Sequence, residues 1–188
     1  AAGTGNNPFS RMLVASNGLL YGTTNQGGIS NGGVVYSFNT TTNSYSVVYN
    51  LGAGGFSDPW AGLIEDPAGT VVGVSNAGGA SGQGSLFKLV TATGIATELV
   101  AFSSSNGSTP KGRLLMAANG SFYGMTSLGG SSDLGVIFSF DPQTNTYTKR
   151  FDLNSTIGSL PQGTFAESGG KLYGVCSNGG TANTGTII

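Results

Sequence analysis

The chain has 188 residues and a mass of 18.8 kDa, which is long enough for one domain with a buried core. Only 8% of the residues are charged and the formal net charge is −1, so the seven Lys and Arg side chains do not supply the positive surface that binds nucleic acid. No apolar run approaches the roughly 18 residues of a membrane-spanning helix, and the absence of histidine excludes imidazole metal sites and histidine-based triads within these residues.

A sequence repeat with a period of 51 residues runs along the chain. Prolines recur at this interval, and so do pairs of glycines, although the fourth pair comes one residue early. The repeated positions are Pro8, Pro59, Pro110 and Pro161, with the pairs Gly27-Gly28, Gly78-Gly79, Gly129-Gly130 and Gly179-Gly180. This periodicity predicts one repeat array over 1–188, divided into repeats 8–58, 59–109, 110–160 and an incomplete fourth, 161–188.

Each repeat predicts four short β-strands, which we call a to d. In the first repeat, strand a covers 11–15, strand b contains the sequence Leu-Tyr-Gly at 20–22, strand c covers 34–38 and strand d covers 45–51. Asn17-Gly18 between strands a and b predicts a tight type I′ hairpin turn. Apolar and polar residues alternate in strand d, so Val48 is expected on the polar side with Ser46 and Asn50.

Four antiparallel strands in a unit of roughly 40–50 residues are typical of a β-propeller blade. One blade cannot bury both faces of its sheet, and stacking against the next blade does so. No segment carries an apolar period of 3.6 over ten residues, which argues against helices. We therefore predict an all-β fold, a β-propeller or partial propeller of four-stranded antiparallel blades.

The repeat resembles the GloVer tandem repeat of bacterial secreted and surface proteins. The resemblance lies in the first repeat's sequence from Asn17 to Thr24, the following pair Gly27-Gly28, and the strand from Gly33 to Phe38. A kelch-like pattern is also present, from Phe140 to Tyr147, although kelch repeats usually have Trp where this chain has Tyr. Both resemblances imply a propeller-like array, and neither implies a catalytic residue.

The fourth repeat stops within its predicted strand c, at Thr186-Ile187-Ile188. A sheet edge of unpaired backbone groups is rarely tolerated. Two explanations stay open: the chain is a piece of a longer array, or a neighbouring chain completes the blade by strand addition. The expected partners are therefore further repeats or further copies of the chain.

Two pairs of charged residues share equivalent repeat positions and are candidate ligand contacts. Glu65 and Glu167 lie in strand a of the second and fourth repeats, and could face a central channel for acid–base work or cation binding. Arg11 and Arg113 begin strand a of the first and third repeats, and could clamp a carboxylate or an anionic sugar. The alternatives are solvated carboxylates and arginines that bridge adjacent blades.

Phe9 and Trp60 follow the repeated proline in the first two repeats, where Lys111 and Gln162 stand in the last two. An aromatic side chain on a loop can stack on the face of a sugar. The alternative is an apolar contact between blades. These two residues are the candidate glycan contacts.

The remaining motifs carry weaker signals. Four sequons, at Asn39, Asn106, Asn119 and Asn154, are possible N-glycosylation sites in predicted turns. The glycine-rich loops lead into strands rather than helices, so they do not predict phosphate binding. Cys176 replaces a Ser or Thr of strand b and has no histidine to activate it. We expect no cofactor, no metal and no catalytic residue.

Low charge and abundant Gly, Ser, Thr and Asn suit an extracellular or cell-surface protein. The leading hypothesis is a non-enzymatic structural or adhesive repeat protein, and a specific version of it polymerises by strand complementation between chains. The alternative is a glycan-binding, lectin-like propeller. A polysaccharide lyase or glycosidase would need paired carboxylates, and the eight acidic residues are scattered over different repeats.

Overall fold

The computed structural model describes residues 3–52 and 55–188, and this part of the chain consists of β-strands, turns and loops without helix. The all-β prediction is therefore confirmed. No segment of the described ranges could cross a bilayer as a helix. Contacts along the chain separate two compact units, Ala1–Ala101 and Phe102–Ile188, which we call the first and second units. The repeat boundaries given above stay predictions.

The first unit contains two four-stranded antiparallel sheets, ordered β2-β3-β5-β6 and β8-β9-β11-β12, and two short pairs, β1-β4 and β7-β10. Each larger sheet follows the predicted order a-b-c-d of one repeat. The strands among its described residues are β1 (Gly5–Asn6), β2 (Leu13–Val14), β3 (Leu20–Thr24), β4 (Gln26–Gly27), β5 (Val34–Asn39), β6 (Ser44–Asn50), β7 (Phe56–Ser57), β8 (Ile64–Glu65), β9 (Val71–Ser75), β10 (Ala77–Gly78), β11 (Ser85–Val90) and β12 (Ile95–Ala101).

The second unit contains one four-stranded antiparallel sheet, β13-β14-β15-β16, a three-stranded sheet, β17-β20-β21, and the hairpin β18-β19. Its strands are β13 (Leu115–Met116), β14 (Phe122–Thr126), β15 (Val136–Asp141), β16 (Thr146–Asp152), β17 (Ser159–Pro161), β18 (Ala166–Ser168), β19 (Lys171–Tyr173), β20 (Val175–Asn178) and β21 (Thr186–Ile187).

Strand a is shorter than the sequence predicts. In the first repeat it was expected over 11–15, but only Leu13 and Val14 pair with strand b, opposite Tyr21 and Leu20. The chain bends at Ser10, so residues 11 and 12 do not pair with strand b. Bends recur at the equivalent positions 61, 112 and 163, which shows that the short inner strand is a property of the repeat.

The predicted type I′ turn is wrong for Asn17-Gly18, because Gly18 has a positive φ of 81° and Asn17 does not. The amide of Gly18 bonds the carbonyl of Ala15, and a left-handed glycine then closes a longer hairpin. In the fourth repeat, which lacks one residue, Gly169 and Gly170 both have positive φ, and Ser168 pairs directly with Lys171. One residue of loop length therefore decides the turn type.

The predicted alternation of strand d breaks at a β-bulge. Val35 pairs with Tyr49 and Tyr36 pairs with Val47, so Val48 is an extra residue. Beyond the bulge the side chains change faces, and Val48 packs against the core instead of lying on the polar side. The same irregularity places an extra residue at Leu99 and Arg150 in the outer strands of the next two sheets.

Aromatic side chains of strand c are buried in the sheets of the second and third repeats, and glycine in strand b makes room for them. In the first unit, Phe87 is fully buried and stacks on Phe56 at a centroid distance of 5.4 Å. In the second, a Cβ atom at Gly124 would lie 2.5 Å from the Phe138 ring, closer than any side chain tolerates. The glycine of the Leu-Tyr-Gly pattern is thus required by packing.

Candidate functional site

Phe9 and Trp60 form an exposed stacked pair in the first unit. Their ring centroids lie 5.1 Å apart and the ring planes differ by 11°. Phe9 is 62% exposed and Trp60 is 39% exposed, although large aromatic side chains are usually buried. The structure therefore brings together the two aromatic residues that the repeat places 51 positions apart, and it leaves their combined surface open to solvent.

The loops that carry the rings are held against the ends of strands β3 and β9. Asn7 and Asp58, which precede the repeated prolines, adopt left-handed φ angles of 55° and 57°. Their carbonyl groups accept the amides of Asn25 and Asn76 at 3.2 and 3.1 Å. A residue before proline rarely adopts a helical region, so these contacts hold both aromatic loops in one uncommon shape.

Hydroxyl groups join the two loops at the residues that directly follow Phe9 and Trp60. The Ser10 and Thr23 hydroxyl oxygens lie 2.9 Å apart, and the Thr23 hydroxyl donates to the carbonyl of Ala61 at 3.2 Å. Sequence reasoning missed these residues. The available signal was Thr23 itself, because Val74, Met125 and Val175 occupy its equivalent positions.

Polar side chains lie on the segment that precedes Phe9 and on strand β4, which pairs with that segment. Asn6, Asn7 and Gln26 are exposed, and the Asn7 side-chain amide donates to the side-chain oxygen Oε1 of Gln26 at 2.8 Å. Arg11 lies two residues after Phe9, is exposed, and has no hydrogen-bond or ion-pair partner within the described ranges. Its guanidinium group is therefore available to an anion from solution.

The equivalent positions of the second unit look different. Lys111 and Gln162 replace the two rings, and Gly112 and Gly163 replace Ser10 and Ala61. A Cβ atom at Gly112 would lie 1.9 Å from the Gly163 carbonyl oxygen, so the two backbones touch where hydroxyl groups stand in the first unit. Arg113 is half-buried here, unlike the exposed Arg11.

The two glutamates lie in separate units, each bonded to the hairpin of the preceding repeat. Glu65 accepts from the amide and the hydroxyl of Ser16, at 2.8 and 2.6 Å. Glu167 accepts from the amide of Ala118 at 3.0 Å. Each carboxylate therefore links two consecutive repeats within its own unit.

The four sequon asparagines shape local turns through their side-chain oxygens. Asn39 accepts hydrogen bonds from the backbone amides of residues 41 and 42, and Asn154 accepts them from the amides of residues 156 and 157. Asn106 accepts from both the amide and the hydroxyl of residue 103. Asn119 accepts from the amide of residue 121. Asn119 is exposed and the other three are half-buried. Their glycosylation stays a prediction.

Cys176 is buried in strand β20 at the position that Thr24 and Thr126 occupy in other repeats. Burial raises the pKa of its thiol, although a hydrogen bond with Thr186 acts in the opposite direction. A protonated, buried thiol is a poor nucleophile.

Comparison with solved structures shows the fold. An auxiliary nutrient binding protein from Bacteroides thetaiotaomicron VPI-5482 superposes with a TM-score of 0.64 at 15% identity, over 99% of this chain and 36% of that one. The extracellular domain of a putative hybrid two-component system from B. thetaiotaomicron gives a TM-score of 0.63 at 12% identity, over 97% of this chain and 21% of that one. The chain thus spans about a third or less of the length of these two proteins.

A polysaccharide lyase of family PL25, an ulvan lyase, gives a TM-score of 0.55 at 12% identity, over 93% of this chain and 44% of that one. These neighbours are β-propeller-like, which agrees with the four-stranded antiparallel sheets described above and confirms the predicted fold class. No curated protein sequence matches the chain.

A sequence family matches the whole length of the chain. The repeat characteristic of Gloeobacter and Verrucomicrobia proteins covers residues 1–188, which agrees with the resemblance found in the 51-residue pattern. The chain belongs to the Gloeobacter/Verrucomicrobia repeat family.

Proposed function

We propose that the chain is a non-enzymatic extracellular binding module that attaches to carbohydrate through the Phe9–Trp60 pair. The observation that carries this proposal is the stacking of two exposed aromatic rings at equivalent positions of the first two repeats. The C–H face of a sugar ring packs on such a surface, and water is released from both.

Amide groups on the segment that precedes Phe9 and on the paired strand β4 provide the polar half of the proposed carbohydrate contact. Asn6, Asn7 and Gln26 offer both donors and acceptors, which is what sugar hydroxyls require. Stacking supplies most of the binding free energy in this arrangement, and the amides select the orientation of the hydroxyls.

Arg11 favours an acidic sugar. A guanidinium group forms two parallel hydrogen bonds with a carboxylate or a sulfate ester, and two residues of extended chain span at most about 7 Å. We therefore expect the Arg11 side chain to reach a ligand stacked on Phe9. Uronic acids and sulfated sugars share this anionic chemistry.

An extracellular setting is supported by the neighbours, of which one is an auxiliary nutrient binding protein and another an extracellular domain. A role without catalysis is supported by the two glutamates at equivalent positions, since each is engaged by backbone amides of its own unit. Incubation with acidic polysaccharides tests this part: the release of unsaturated or shortened sugars would contradict it.

Binding is tested by titrating the chain with neutral, uronic and sulfated oligosaccharides. Trp60 is the single tryptophan, so its fluorescence reports directly from the pair. We expect binding of an acidic oligosaccharide that Trp60→Ala and Phe9→Ala weaken by about tenfold or more, equal to about 1.4 kcal/mol. For these variants calorimetry replaces the fluorescence readout.

Matched controls separate the site from general damage. Phe151→Ala removes an aromatic side chain that is 43% exposed in the second unit, and should leave binding unchanged. Arg11→Gln should weaken acidic ligands and not neutral ones. The proposal is wrong if no oligosaccharide binds, or if binding persists in both ring variants.

The structural role predicted from the sequence is a second proposal, in which copies of the chain associate and complete the fourth repeat. Chemical crosslinking and electron microscopy test it. Filaments of regular spacing would support the idea, and a chain that stays monomeric at high concentration would end it.

A further inference from the structure

A buried threonine connects the two loops that carry the aromatic pair. The Thr23 side chain is 1% exposed, and its hydroxyl donates to the carbonyl oxygen of Ala61 at 3.2 Å. A hydroxyl has one hydrogen to donate, so the Ser10 hydroxyl, 2.9 Å away, must donate to Thr23. The result is a directed chain of two hydrogen bonds, from Ser10 through Thr23 to Ala61.

These two hydrogen bonds end at the residues that directly follow Phe9 and Trp60. Ser10 follows Phe9, and Ala61 follows Trp60. The ends of the hydrogen-bonded chain therefore lie one residue from each aromatic side chain. Its length limits how far apart the two loops can move.

The other repeats show that a hydroxyl is not needed for folding at this position. Val74 and Met125 occupy it in the second and third repeats and are 1% and 2% exposed, whereas Val175 of the fourth repeat is 53% exposed. A buried hydroxyl is costly unless it is hydrogen-bonded. Thr23 is bonded on both sides, which removes that cost.

At the equivalent positions of the second unit, neither the two hydroxyl groups nor the two aromatic rings are present. Gly112, Met125 and Gly163 stand where Ser10, Thr23 and Ala61 stand in the first unit, and Lys111 and Gln162 replace the aromatic pair. Its loops meet by direct backbone contact, and a different hydroxyl, that of Ser127, donates to the carbonyl of Pro161 at 2.8 Å. The hydroxyl chain thus accompanies the aromatic pair.

From these observations we infer that Thr23 is a positioning residue, which fixes the spacing of Phe9 and Trp60 and thereby sets the affinity of the carbohydrate surface. This inference rests on the proposed function for its binding part. The geometric part concerns the rings alone and holds without a ligand.

The test uses two variants of nearly the same shape. Thr23→Val keeps the volume and removes the hydroxyl, whereas Thr23→Ser keeps the hydroxyl and removes a methyl group. Without ligand, we expect Thr23→Val to shift the emission of Trp60 and at least double its quenching by acrylamide. Thr23→Ser should stay close to the parent chain in both measurements.

The same variants are then titrated with the acidic oligosaccharide that the parent binds. We expect about a tenfold loss of affinity in Thr23→Val and less than a twofold loss in Thr23→Ser. Thr126→Val is the control, since it removes a bonded threonine hydroxyl from strand β14 in the second unit. It should leave Trp60 emission and affinity unchanged.

Ser10→Ala keeps the inference testable if Thr23→Val does not fold. It removes one bond of the chain and should shift Trp60 in the same direction by a smaller amount. Unchanged Trp60 emission and quenching in Thr23→Val would overturn the inference. If the parent binds no sugar while Thr23→Val still disturbs Trp60, the proposed function fails and the positioning role stands.

Discussion

The carboxylate of Glu65 accepts two hydrogen bonds from Ser16, one from its amide and one from its hydroxyl, at 2.8 and 2.6 Å. The partners are 49 residues apart, so one side chain ties strand a of the second repeat to the hairpin of the first. In the second unit, Glu167 makes the corresponding contact with the amide of Ala118. Val14 and Met116 occupy the same position in the other repeats. This contact therefore joins the first repeat to the second and the third repeat to the fourth.

Replacing Glu65 by alanine should lower the free energy of unfolding by about 1 kcal/mol. Hydrogen bonds to a charged group contribute roughly 1.5–3 kcal/mol when buried, and the exposure of this pair reduces that amount. Glu167→Ala, which removes one bond instead of two, should cost less. Urea unfolding compares the two variants; equal losses, or none for Glu65→Ala, would contradict the proposed link.

Gly112→Ala should destabilise the second unit by about 2–3 kcal/mol or more. The new Cβ atom would overlap the Gly163 carbonyl oxygen, and backbone cannot move aside as a side chain does. Gly163→Ala is the matched control, because its nearest contact is a Val175 methyl group at 3.2 Å. Thermal unfolding should show a clear loss for the first variant and a small one for the second.

Thr126→Val should cost about 1–3 kcal/mol of stability. The Thr126 hydroxyl donates to the carbonyl of Leu128 at 2.9 Å and accepts the amide of Val136 at 3.1 Å, and valine leaves both without that partner. At the equivalent position of the second repeat, the Ser75 hydroxyl is buried without a partner among the described residues. Ser75→Ala should therefore be neutral or stabilising, which denaturant titration can measure.

Stability should fall as the pH rises above about 10, the ordinary pKa of tyrosine. Burial raises the pKa of Tyr147 in the folded chain, and the nearby Asp152 carboxylate adds to the effect. The unfolded chain loses its tyrosine proton first, so the stabilisation that is complete below this pH is lost above it. Tyr147→Phe should flatten the alkaline part of the stability curve.

The same variant removes the hydrogen bond from the Tyr147 hydroxyl to the carbonyl of Asn106. It should therefore be less stable than the parent at neutral pH by about 1 kcal/mol. Burial also raises the pKa of Tyr36 and Tyr49, so the variant should keep part of the alkaline loss. An alkaline limb that is identical in parent and variant would contradict the assignment to Tyr147.

Sequence reasoning predicted the features that depend on local patterns. Strands b, c and d follow from runs of apolar residues, and the sheet order follows from the repeat itself. The bulge at Val48 could not be predicted, because it depends on the relative lengths of two paired strands. The turn at Asn17-Gly18 was assigned the wrong type because one residue of hairpin length outweighs the preference of the dipeptide.

The candidate site was predicted in part. The shared repeat position identified Phe9 and Trp60, but their stacking depends on how two loops lie against each other. The inferred role of Thr23 depends on a tertiary contact. Its only signal in the sequence is a threonine where the second and third repeats have Val74 and Met125. Sequence alone could not separate a functional from a structural role for Glu65 and Glu167, because both roles place a carboxylate on strand a.

The bulged outer strands bear on how such a chain behaves at high concentration. Strands β6, β12 and β16 each lie at the edge of a sheet, where free amides and carbonyls invite a second molecule to dock. The extra residue in each interrupts the even spacing of those groups and sharpens the local twist. An approaching flat strand would find no continuous ladder, so we expect the shape of these edges, rather than electrostatic repulsion, to limit amyloid-like aggregation of a chain with so few charges.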